Sequence, residues 1–150
     1  MTLHHFSKSK PSIQTTMKRL QAKKECPEII QKVGFDFDWD SEKVWSLKYP
    51  IQEMNITELL WHFDIPFWDK QHTNKYNLTP WQVIKHPTKH LLHNNKIKRA
   101  SLKYPIDIMK NKGRWLILDG LHRLVKAYQQ GHTTIQVRKI PRSEIKNIKS

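Results

Sequence analysis

The chain has 150 residues, of which 37% are hydrophobic, and its Lys and Arg outnumber Asp and Glu by 27 to 13. That length fits one domain rather than two, and six Trp, five Phe and four Tyr supply the large apolar surfaces that a disordered chain lacks. The longest aliphatic stretch, Trp115 to Leu118, falls far short of the roughly 20 residues of a membrane-spanning helix, and the single cysteine, Cys26, excludes an intramolecular disulfide framework. A soluble, unsecreted, cytoplasmic protein with no membrane partner is expected.

The charge is uneven. Residues 1 to 69 carry 9 Lys/Arg against 10 Asp/Glu, whereas residues 70 to 150 carry 18 against 3. A field of that sign attracts polyanions or phosphorylated ligands, although lysine also serves plain solubility.

Residues 1 to 30, polar and basic, read as a poorly ordered arm ahead of a domain over 31 to 150. Val33, Phe35, Phe37 and Trp39 alternate with Gly34, Asp36, Asp38 and Asp40, which predicts a half-buried strand. Asp36, Asp38 and Asp40 have the spacing that opens a calcium loop, but Ser41 replaces the turn glycine and Leu47 the bidentate glutamate, which disfavours calcium.

Ser46 to Met54 and Ser101 to Met109 match at seven of nine positions. Two strands with equivalent entry into one sheet are expected, each begun by a proline, with Glu53 and Asp107 delivered at comparable places. Asn55 and Glu58 form a capping-box pattern ahead of Ile56, Leu59, Leu60 and Phe63, so a helix is predicted over 55 to 63. Trp61 to Asp69 then gathers three large aromatics, two carboxylates and a histidine. They serve either as core packing or as the lining of a pocket.

Thr79, Pro80 and Gln82 predict a further helix over 79 to 98, limited or interrupted at Pro87. His86, His90 and His93 have i, i+4, i+7 spacing, but that proline and the lack of an accompanying glutamate argue against zinc. Lys85, Lys89, Lys96, Lys98, Arg99 and Lys103 form either a solvated surface or a basic face for nucleic acid. Arg114 to Leu118 reads as a strand, Asp119-Gly120 as a break, 121 to 130 as an amphipathic helix and Ile135 to Val137 as a closing strand.

At that break, Gly120 clears room for close approach, and the amides of Leu121, His122 and Arg123 open a helix, where anions bind. His122 and Arg123 lie opposite the apolar stripe and can add hydrogen bonds to the same anion. The alternative is that Asp119 caps the helix while Arg123 pairs with a carboxylate.

Asp119-Gly120-Leu121-His122-Arg123, between an aliphatic strand and an amphipathic helix, resembles the signature of the ParB/sulfiredoxin superfamily, and the similarity extends over residues 44 to 145. The resemblance implies an α/β (α+β) domain with a small mixed sheet and flanking helices. It also implies a phosphate site for ATP, ADP or CTP at Gly120, Leu121, His122 and Arg123. Leu121 stands where sulfiredoxin has its catalytic cysteine, which argues against sulfinic-acid reduction. The short segment after the last strand leaves no room for the helix-turn-helix reader of ParB proper.

The motif is closest to the ParB-like small-molecule kinases, which resemble the free-serine kinase. Phosphoryl transfer is therefore expected, with Asp119 as ligand to a magnesium ion, Glu53 or Asp107 accepting a proton, and His122 among the catalytic candidates. A non-catalytic or nuclease-type nucleic-acid-binding protein is the alternative. An acceptor pocket is expected at His62, Asp64 and Trp68, across the nucleotide from the Gly120 turn.

Overall fold

The computed structural model describes residues 26–150. Of the arm expected over 1 to 30, residues 1–25 lie outside the described residues. Helix α1 (Glu28–Val33) follows directly and buries Ile30.

The chain forms an α+β domain on a four-stranded mixed sheet. The strands are β1 (Ile51–Asn55), β2 (Ile106–Asn111), β3 (Arg114–Asp119) and β4 (Thr134–Lys139), in the order β1-β4-β2-β3. β4 pairs antiparallel with β1 and parallel with β2, and β3 closes an antiparallel hairpin on β2.

The two repeats supply β1 and β2, each starting immediately after its proline. Ile51 pairs with Arg138 and Ile106 with Val137, so the repeats enter at one level of β4 and run away in opposite directions. That reversal is why Glu53 and Asp107 do not arrive at comparable places. Glu53 is exposed opposite Gln136, and Asp107 is buried opposite Arg138.

One sheet face packs Ile106, Ile108, Ile117 and Val137 against α3 (Pro80–Lys85), α4 (Leu91–Arg99) and α5 (Leu121–Gln129). The other packs Met109, Leu118 and Ile140 against α2 (Ser41–Ser46) and α6 (Ile145–Ile148). α4 and α5 are clasped by Lys126, whose Nζ donates to the carbonyls of Lys98 and Ala100 at the end of α4.

Two expected elements differ, and a third is divided where Pro87 was expected to interrupt it. The helix over 55 to 63 is instead a pair of 3-10 turns, Ile56–Glu58 and Leu60–Asp64, broken at Leu59. The helix over 79 to 98 is two helices, because Pro87 expels the preceding residue from helical geometry and His86 and His90 adopt φ −132° and −129°. The strand over 33 to 39 is absent apart from a single bridge between Trp39 and Lys149. Phe35, Phe37 and Trp39 cluster with centroids 5.0 to 5.9 Å apart instead of alternating, and Asp40 caps α2 by accepting the Glu42 amide.

Candidate functional site

A cavity of about 1530 Å³ lies between the 30–51 segment and the β3–α5 turn. Trp39, Trp45, Tyr49, Lys96, Arg99, Tyr104 and Asp119 to Arg123 are among the residues that line it.

The turn is aimed by a β-bulge. Asp107 pairs with Asp119 and Ile108 with Ile117, so Leu118 is left over, and its carbonyl accepts Trp39 Nε1 at 2.9 Å. Gly120 then adopts φ 117°, ψ 18°, and a Cβ there would lie 3.1 to 3.3 Å from Ile106. The left-handed backbone and the close approach both require glycine. No side chain caps α5, so Asp119 is not an N-cap and the first-turn amides of Leu121, His122 and Arg123 open uncapped at the cavity.

Asp119 holds Arg123. Its Oδ2 accepts Arg123 Nη2 at 2.7 Å and Trp45 Nε1 at 2.8 Å, and Arg123 Nη1 donates to the Pro105 carbonyl. Asp119 and Pro105 thus take two of the five N–H donors of Arg123, and the carboxylate competes with an anion for the guanidinium. The one carboxylate oxygen, Oδ2, is shared between Arg123 and Trp45. Among the described residues no group of three His, Cys, Asp or Glu side chains could hold a metal ion.

Asp107 is 2% exposed and accepts Arg138 Nε at 2.6 Å, while Arg138 also donates to the carbonyls of Val44 and Leu47. Burial pushes the Asp107 carboxyl above its ordinary range, opposed by the Arg138 bond. This arginine, whose role the sequence did not signal, fastens α2 to the sheet. Glu53 does not line the cavity.

His122 lies flat on Trp68, ring centroids 4.3 Å apart and 12° from parallel, and His93 shares the same indole at 4.7 Å and 11°. The two imidazoles are joined edge to edge, His93 Nδ1 to His122 Nε2 at 3.0 Å. His93 Nε2 meets the Asp69 carbonyl at 3.0 Å and the Asp69 carboxylate at 3.6 Å.

A carbonyl only accepts, so His93 carries its proton on Nε2 and its Nδ1 accepts from His122 Nε2–H. Neutral His122 is thereby left with a lone pair on Nδ1. Among the described residues His122 Nδ1 has no hydrogen-bond partner, and His122 lines the cavity. His122 cannot donate to a phosphate in this form, contrary to the sequence expectation.

Burial, then the charges of His93, Lys96 and Arg123, hold His122 well below the ordinary imidazole range. Burial lowers His93 too, opposed by Asp69.

The expected acceptor pocket is divided. Trp68 carries the histidine pair and His62 lines the cavity, but Asp64 is exposed and outside its wall. His62 Nδ1–H donates to the Leu59 carbonyl at 2.7 Å and Nε2 accepts the Ile117 amide at 3.1 Å, so both nitrogens are spent on closing the free edge of β3. Burial lowers its pKa to about 4.

Lys85, Lys89, Lys98, Arg99 and Lys103 are exposed, and none is in an ion pair within the described residues. No helix among the described residues is long and apolar enough to cross a membrane.

No protein-family model matches the chain, and neither curated proteins nor solved structures return a match.

Proposed function

We propose that the chain binds a nucleoside phosphate, ATP, ADP or CTP, or another phosphorylated ligand, at the Gly120 to Arg123 turn, and transfers a phosphoryl group to a small acceptor. The observation that carries this reading is the uncapped start of α5, held open by left-handed Gly120 against a large cavity. Lys96, Arg99 and Arg123 supply positive charge on the same wall, and aromatic side chains offer surfaces for a base. The resemblance of Asp119-Gly-Leu-His-Arg123 to the ParB/sulfiredoxin superfamily supports it independently. Magnesium enters with the phosphate oxygens.

Calorimetry with ATP, ADP and CTP, each with magnesium, tests the reading. Binding by at least one that is weakened by Arg123→Ala is expected, and no binding by any of the three removes it.

A second reading, nucleic-acid binding through residues 85 to 103, is favoured by the exposed cations there that form no ion pair among the described residues. Retention of single- or double-stranded DNA that falls steeply with salt is its signature.

A further inference from the structure

We propose that Asp69, His93 and His122 form a hydrogen-bonded relay that fixes the His122 tautomer and leaves its Nδ1 as a base at the cavity, and that the group transferred at this site goes to a hydroxyl-bearing acceptor whose proton His122 takes. The inference rests on the phosphoryl-transfer reading above and assigns the base that the sequence had placed on Glu53 or Asp107. Glu53 lies outside the cavity, and Asp107 is bound to Arg138. His122 is the imidazole with an open lone pair on the wall.

The geometry is built, not incidental. Trp68 fixes both ring planes, which lie within 8° of each other, so the 3.0 Å bond between them runs edge to edge. The Asp69 carbonyl fixes the His93 tautomer, and His93 in turn fixes that of His122. Among the described residues the groups around His122 are His93 and Trp68, Lys96 from α4 and Arg123 from its own helix. The two cations disfavour a standing positive charge on the ring and favour an anion beside it. The Asp69 carboxylate behind His93 stabilises the charge that arrives during transfer.

In the step itself, the acceptor oxygen forms a bond to the terminal phosphorus of a nucleoside triphosphate. The bond from that phosphorus to the bridging oxygen breaks, its electron pair leaves on the nucleoside diphosphate, and the hydroxyl proton passes to His122 Nδ1. His122 then returns the proton to solvent. His93 is a positioning residue.

Long-range proton–nitrogen spectra of the histidine side chains in the full chain, assigned with His93→Gln and His122→Gln, test the relay. At pH 7 both rings are expected to be neutral with the proton on Nε2. A His122 that carries its proton on Nδ1, or on both nitrogens, overturns the relay.

For the chemistry, transfer from magnesium ATP to glycerol or water is read as ADP with glycerol phosphate or free phosphate. His122→Gln is expected to lose on the order of 100-fold or more in kcat at little change in KM for ATP. His93→Gln is expected to lose about tenfold and to displace the acid limb of the pH profile. Equal rates in wild type and His122→Gln, or ATP bound without transfer to either acceptor at any pH, overturn the base. A chain that binds none of ATP, ADP and CTP removes the nucleotide reading instead, and the tautomer spectrum then decides the relay alone.

Discussion

Asp107 and Asp119 face each other as Cα partners across the β2–β3 hairpin, and each carboxylate is held by its own arginine, Asp107 by Arg138 and Asp119 by Arg123. Like charges directly opposite on a ladder destabilise it. The arginines turn the pair into a row of alternating sign, Arg138 to Asp107 to Asp119 to Arg123. One end of the row is buried structure and the other is the cavity wall.

The buried end makes the first prediction. Arg138→Leu strands a buried carboxylate together with the carbonyls of Val44 and Leu47, and the expected loss is about 3 to 5 kcal/mol at pH 7 by urea unfolding. Asp107 is held above 3.8 by burial, so folding tightens its hold on a proton. Acidification through the range above that value favours the folded state at this site. The deficit of Arg138→Leu should therefore shrink toward pH 4, and a deficit independent of pH would contradict the assignment.

His62 titrates in the opposite sense. Its folded pKa of about 4 lies below the ordinary imidazole value of 6.5, so the unfolded chain binds the proton more tightly. The contribution is complete above pH 6.5 and is lost as pH falls toward 4, by roughly 3 kcal/mol. His62→Gln removes that titration. It should be less stable than wild type at pH 7 by about 1 to 3 kcal/mol, with the gap closing by pH 4. Unfolding curves of the two chains at matched pH measure it.

Two glycines separate backbone conformation from close approach. Gly131 has φ +79° and open space within 4 Å of where a Cβ would stand, whereas Gly120 has φ +117° and Ile106 at 3.1 Å. Gly131→Ala should cost about 1 kcal/mol from the left-handed backbone alone. Gly120→Ala should cost about 2 to 3 kcal/mol, because strain and the Ile106 clash add. Thermal unfolding of the two variants ranks them, and an equal cost would mean that the Ile106 contact yields freely.

The strand-turn-helix-strand unit from Arg114 to Lys139 was legible because its signals are local: alternation, a glycine break and a helical stripe ending at Gly131. Residues 33 to 39 misled because alternating aromatics form a strand only where a free edge awaits them. The open edge of β3 is instead met by the His62 ring at Ile117 and by Trp39 at Leu118. At the site, the chain showed the turn but not what surrounds it. His93 meets His122 across 29 residues and Asp69 across 24. The i, i+4, i+7 histidine series contained His93, and Pro87 already divided it from His86, but helical periodicity could not say that His93 would be presented to α5.

The cavity end of the charge row makes the last prediction. Arg123 meets Asp119 Oδ2 at 2.7 Å, so a phosphate that approaches the guanidinium meets a carboxylate already bound to it. The carboxylate thus competes with the ligand for the guanidinium and also repels it. Asp119→Asn removes the competing charge while keeping an acceptor for Trp45 Nε1. ADP or inorganic pyrophosphate should therefore bind several-fold more tightly to Asp119→Asn than to wild type, by about 1 kcal/mol. Arg123→Ala should bind more weakly by about 1.5 to 3 kcal/mol. In the double variant the benefit of Asp119→Asn should shrink, because no guanidinium remains to be released, and the coupling is read from the calorimetric cycle. If Asp119→Asn instead weakens binding as much as Arg123→Ala does, Asp119 acts with the ligand, through a cation, and the competition between carboxylate and phosphate is refuted.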